Sequence, residues 1–290
     1  GKSIGHAAQW ACGMEVTNHM NQIQIITDAG SDIVDCSRTD LTVLPMTIRF
    51  GDEEYLDGVN LTHRQFYEKM IETQVLPTTS QPSPYAFETA IRKIHEQGDI
   101  ALIITISSKL SGTWQSANIA AAETGGEVYI VDSLNVAVGE KAIVEYALRM
   151  KDAGTDIHTI VETLNHEKEN LRVIALLDTL EYLQKGGRIS KTVAIAGSLL
   201  SIKPVVSVVD GEVALLGKAR GSRQGNNLLV EKIHACGGID FSLPILLGYT
   251  GLTDVFLKKY VEDSRALWEN GTDRLDSTLI GGVIGTHAGP

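Results

Sequence analysis

The sequence predicts a two-domain α/β protein, in which an N-terminal parallel sheet flanked by helices is followed by a C-terminal mixed α/β domain. Three observations predict it. Short β-branched runs alternate with helical patterns from Met20 onward, as parallel strands joined by helical crossovers do. An Asp210-Gly211 pair then lies between two apolar runs, and a tight hairpin there does not belong to a purely parallel sheet. Finally, 290 residues with 43% hydrophobic and 21% charged side chains suffice for two cores. The expected divisions are an extension over 1–19 before a natural start at Met20, an N-terminal domain over 20–164, and a C-terminal domain over 165–290.

Taken in order, the runs Ile23 to Thr27, Ala101 to Ile106 and Val128 to Val131 read as buried strands. Thr62 and Gln65 have the spacing of a capping box, which starts a helix. Ser83 and Pro84 suit the N-cap and first position of another, with Phe87, Ala90, Ile91 and Ile94 on one face. A third helix follows Ser111 and stops near Gly125 and Gly126. Residues 136–169 read as two helices broken at Gly154, the second with Ile157, Ile160, Val161 and Leu164 as its apolar stripe. Further strands are expected over 171–177, 204–209, 212–216, 243–249 and about 277–284.

The bulk properties narrow the function. A net charge of −11 repels nucleic acid and anionic membranes over most of the surface. No apolar run reaches the roughly 18 residues that span a bilayer, so no stable membrane insertion is expected. Cys12, Cys36 and Cys236 are odd in number and far apart, which points to a reducing, cytoplasmic setting. The phosphate-binding patterns GxGxxG and GxxxxGK[ST], the GxSxG elbow, the HExxH motif and paired histidine spacing are all missing. Neither a metal nor a cofactor is expected.

Four polar, glycine-containing segments carry the positive signal: TTSQPS at 78–83, SSKLSGTWQSA at 107–117, KGGRIS at 185–190 with KARGSR at 218–223, and GTHAGP at 285–290. Hydroxyls and free N–H groups at a helix start suit a carboxylate or phosphate. The plainer reading makes Ser111 an ordinary N-cap and Thr79 a turn residue. Residues 185–223 also hold Lys185, Arg188, Lys191, Lys203, Lys218, Arg220 and Arg223 against Asp210 and Glu212, a local charge of +5 in an acidic chain. Such a zone is an anion site, a docking face or a solvated face.

In order and spacing, ITDAGSD at 26–32, TTSQPS, LSGTWQSA, KGGRIS and GTHAGP resemble the DegV family of bacterial fatty-acid-binding proteins, from about Gln22 to Pro290. The resemblance implies a DegV-like two-domain fold, with a further strand beyond Pro290. It also implies one long-chain fatty acid, such as palmitate, held as ligand in lipid transport or fatty-acid metabolism and presented to a fatty-acid kinase by a protein that is not itself an enzyme. Carried over by motif, Thr79 and Ser111 would bind the carboxylate through their hydroxyls and Gly112 through its N–H. Arg220 and His287 would stand near the head group. Arg188, outside the pocket on an exposed corner between two helices, would meet the kinase. Two other readings stand on the same residues. One is a hydrolase or phosphotransferase using Ser111 and His287, and the other a binding protein for a small polar metabolite.

Overall fold

The computed structural model describes residues 21–34, 37–190, 192–193 and 202–290. The extension expected over 1–19, the start at Met20, and Cys12, Cys36 and Lys191 lie outside the described residues. The first half runs β1 (Ile23–Asp28), β2 (Leu41–Leu44), β3 (Thr47–Phe50), β4 (Glu53–Leu56), α1 (His63–Thr73), β5 (Thr78–Ser80), α2 (Pro84–Glu96), β6 (Ile100–Thr105), α3 (Thr113–Thr124), β7 (Val128–Asp132), α4 (Val138–Asp152) and α5 (Ile157–Glu167). The rest runs β8 (Ile174–Leu176), α6 (Glu181–Lys185), β9 (Ile202–Val209), β10 (Glu212–Arg220), α7 (Gly221–Ala235), β11 (Leu246–Tyr249), α8 (Val255–Asp263), β12 (Asp276–Leu279) and α9 (Gly282–Ala288).

The first sheet is parallel, as the alternating pattern predicts, and its order is β2-β1-β6-β7, with β2 added to the three expected strands. Its β-branched runs are apolar on both faces because both are covered. Leu102, Ile104 and Val131 pack against Ile143 and Val144 of α4 and Ile160 of α5. On the other face Ile26, Ala101 and Ile103 meet Phe87 and Ile91 of α2 and Ala117 of α3. The expected caps are present: Ser83 Oγ accepts from the Ala86 N–H, and Thr62 and Gln65 bond reciprocally. β1 is followed on one side by β2 and on the other by β6. The sheet therefore reverses its winding direction between β1 and β6, and the crevice beyond their carboxyl ends is where such sheets take ligands.

Among the described residues there are three smaller sheets: β4-β3-β5, β10-β9-β8 and β11-β12. β9 and β10 form the expected hairpin, with φ of 50° at Asp210 and 82° at Gly211. Its tip is anchored across the molecule, where Ser107 Oγ donates to the Gly211 carbonyl at 2.7 Å.

The strand expected over about 277–284 is corrected. Only Asp276–Leu279 is strand, and Gly282–Ala288 is helix α9. Its glycines permit close packing that strand periodicity does not reveal. A methyl on Gly282 would stand 2.8 Å from Phe66 Cδ2, and one on Gly285 would stand 2.6 Å from the Tyr67 hydroxyl. α9 is thereby drawn onto α1 and β3, with Val283 in the core of Ile48, Phe66 and Tyr67.

Candidate ligand pocket

A cavity of about 790 Å3 begins at the carboxyl ends of the parallel strands and runs into the second half of the chain. Much of its wall is aliphatic, including Ile106, Leu176, Val206, Leu229 and Leu247. Polar groups join the wall from separate segments: Thr79 on β5 and Gln81 just after it, Ser111 after β6, Arg188 after α6, and His287 on α9.

Local contacts bring these segments together. A methyl on Gly112 would collide with the Gln81 amide, so glycine lets the loop before α3 lie against the loop before α2. A methyl on Gly186 would likewise collide with the His287 ring, which seats α9 against the end of α6. Arg188 links both groups, since its Nε donates to the Leu110 carbonyl at 3.2 Å and its Nη1 to the Gly186 carbonyl at 2.6 Å.

The position of Arg188 corrects the exposed corner outside the pocket. Gly187 does end α6 in the left-handed conformation, with φ of 74°. The turn then closes on itself: the Gly187 N–H donates to the Gln184 carbonyl and the Arg188 N–H to the Leu183 carbonyl. That reversal returns the half-buried Arg188 side chain to the cavity wall. Ser190 does cap the residues that follow, its Oγ accepting from the Val193 N–H at 3.3 Å.

Thr79, Ser111 and His287 stand on the pocket wall. Gly112 is the N-cap of α3, one residue later than Ser111, and is not part of the lining. Ser111 Oγ accepts from the Thr113 N–H at 3.3 Å and pairs with Thr113 Oγ1 at 2.8 Å. Arg220 is exposed at the end of β10 and is not part of the lining, contrary to a place beside the head group. Strand alternation explains the difference, because Ala219 takes the buried side and Arg220 the open one. The motif reading missed Gln81, Asn226 and the strip Val136 to Val138. Gln81 lay inside TTSQPS, whereas nothing local marks Asn226 or the valines as pocket residues.

Burial shifts several titratable groups around this end. Burial, with the Arg188 charge nearby, pushes the His287 imidazole down to about 4, so the ring is neutral at pH 7. Its Nδ1 is buried without a partner. Behind the wall, burial raises Asp28 to about 6. It holds Asp32 and Glu140 well above the carboxylate range, with Asp28 adding to the effect on both.

The DegV family sequence model, described as an uncharacterised protein family, matches residues 22–290. The chain belongs to the DegV family. A DegV domain-containing protein of Caldanaerobacter subterraneus is 32% identical over 276 residues, covering 93% of this chain and 96% of its own length. A Thermus thermophilus structure, described as fatty-acid binding of a DegV family protein, is 27% identical with a TM-score of 0.80. The match covers 93% of this DegV chain and 96% of the Thermus one. The Streptococcus pneumoniae fatty acid kinase (Fak) B3 protein, loaded with linoleic acid, is 22% identical with a TM-score of 0.77 over 92% and 95% of the two chains, and shares the fold. Among the described residues of this DegV protein, no helix is long and apolar enough to cross a membrane.

Proposed function

We propose that this DegV protein binds one long-chain fatty acid and presents its carboxylate to a fatty-acid kinase, without turning it over itself. The observation that carries the reading is the convergence of Thr79, Ser111, Arg188 and His287 at one region of a cavity with an extensive aliphatic wall. Each buried CH2 contributes about 0.8 kcal/mol, so a sixteen-carbon tail offers roughly 11 kcal/mol before the costs of association. The carboxylate must be hydrogen-bonded or paired once it leaves water. Two hydroxyls, an imidazole and a guanidinium supply that, and Arg188 at the wall supplies charge for the head group in addition to a docking role. The ligand would then cross a domain boundary near residue 165.

Two features support binding over catalysis. Ser111 Oγ is paired with Thr113 Oγ1, and His287 Nδ1 has no partner, so Nδ1 does not activate Ser111 as a nucleophile. The aliphatic wall also favours a tail over a small polar metabolite. Gentle organic extraction of the purified protein, followed by mass spectrometry, should release a fatty acid of about sixteen to eighteen carbons. Recovery of no lipid, with no uptake of added fatty acid, overturns the reading. Incubation with a fatty-acid kinase and ATP should yield acyl phosphate only when that kinase is present.

A further inference from the structure

We propose that Ala137 is a specificity-determining residue whose methyl group limits the room beside the first carbons of the acyl chain; the proposal rests on the fatty-acid reading above. Ala137 has φ 57° and ψ −131°, a conformation that glycine adopts freely and residues with a Cβ avoid. The surroundings hold it there. Its N–H donates to the Gly30 carbonyl at 2.8 Å, and its carbonyl accepts from the Lys141 N–H at 2.9 Å as α4 begins. Glycine would satisfy the same two bonds without the strain, so backbone geometry gives no reason for the methyl. The reason lies on the other side. Ala137 is only 6% exposed, and it lines the pocket between Val136 and Val138.

Its place along the pocket follows from its neighbours. Gly30, which Ala137 bonds, abuts Ile106, since a methyl on Gly30 would stand 2.9 Å from Ile106 Cδ1. Ile106, Leu110 and Ser111 continue the same wall. An acyl chain whose carboxylate bonds Ser111 therefore passes Ala137 with its first carbons, where one methyl group decides whether a branch fits. The chemical class selected is a fatty acid unsubstituted next to its carboxyl group.

The test compares hexadecanoic acid with its 2-methyl and 3-methyl derivatives, by displacement of a fluorescent fatty acid and by thermal melting. The parent, Ala137→Gly and Leu134→Gly are measured together; Leu134, with φ of 48°, is a second non-glycine residue in a left-handed conformation but is not part of the lining. Ala137→Gly should improve binding of a branched acid relative to the straight one by about tenfold, the usual worth of one methyl group in a pocket, without lowering the melting temperature. Leu134→Gly should leave that ratio unchanged. An unchanged ratio in Ala137→Gly, or an equal change in Leu134→Gly, overturns the proposal. If Ala137→Gly does not fold, Val138→Ala opens the same strip, and an unchanged ratio there overturns it too. A parent that binds none of the three acids overturns the fatty-acid reading itself, and is distinguishable because no ratio can then be formed.

Discussion

At the scale of single residues, the polar end of the pocket consists of a few side chains whose roles separate by experiment. Thr79→Val and Ser111→Ala should each weaken fatty-acid binding by about 1 to 3 kcal/mol, because a charged group loses one partner in a dry site. Unchanged titrations for both single variants and the double variant would put the carboxylate elsewhere. Arg188→Ala should also lower affinity, since the guanidinium lies on the cavity wall. A variant that bound lipid normally but lost kinase-dependent phosphorylation would restrict Arg188 to docking. His287 gives a pH signature. The unfolded chain takes up a proton as pH falls through about 6.5, while the folded imidazole resists until about 4. Its contribution is thus complete above about 6.5 and is lost between there and about 4, some 3 kcal/mol at most. Asp28, raised to about 6, gives the opposite slope in parent and variant alike. Urea unfolding at about pH 7.5 and 4.5 should therefore show His287→Gln gaining stability relative to the parent at the lower pH. Thr79, Ser111 and His287 were legible as pocket residues because motif order marks them. The direction of Arg188 was not, since it depends on how the turn after α6 closes against Leu110.

At the scale of elements, α9 shows how a short helix is fixed by buried groups from elsewhere. Asp32 Oδ1 accepts from the Gly281 N–H at 2.8 Å, and the Asp57 carboxylate accepts from Gly282 and Val283 at 3.3 and 3.2 Å. The Tyr67 hydroxyl donates to the Ile280 carbonyl at 2.7 Å, and His63 Nδ1 bonds the Leu279 carbonyl at 3.1 Å. Asp57→Ala leaves two buried N–H groups without acceptors and should cost about 3 kcal/mol by urea unfolding. It should also weaken ligand binding, because α9 carries His287. A loss much below 1 kcal/mol would mean that water replaces the carboxylate. The helices read most clearly from sequence were those with side-chain caps, as at Thr62 and Ser83. α9 has no capping side chain of its own, and its partners lie more than two hundred residues away. The short strands β4 and β5 escaped for a related reason: EEYL and TTS lack an apolar alternation, and each is fixed by its neighbour in the sheet.

At the scale of the whole molecule, the cavity draws its wall from both halves of the chain, so a ligand should hold them together. Saturating fatty acid should raise the unfolding free energy by about 3 kcal/mol at a hundredfold excess over Kd, with a matching rise in melting temperature. Delipidated protein that melts at the same temperature with and without fatty acid would contradict a buried ligand. The parallel sheet was legible because β1, β6 and β7 are apolar on both faces, and the hairpin because Asp-Gly is chemically distinctive. The way the halves meet was not, since it rests on contacts such as Ser107 to Gly211 that no local pattern encodes.

The return of α9 to α1 and β3 bears on how the chain matures. During synthesis the Phe66–Tyr67 face emerges from the ribosome more than two hundred residues before Val283, the residue that covers it. At about 5 to 20 residues per second, that apolar face waits for ten seconds or more without its native cover. A nascent chain stalled before residue 279 would carry a folded parallel sheet, an open cavity and an uncovered aromatic surface, which makes it a substrate for chaperones. Pulse-labelled chains should accordingly become resistant to protease over the Phe66 region only after residues 279–288 have left the exit tunnel.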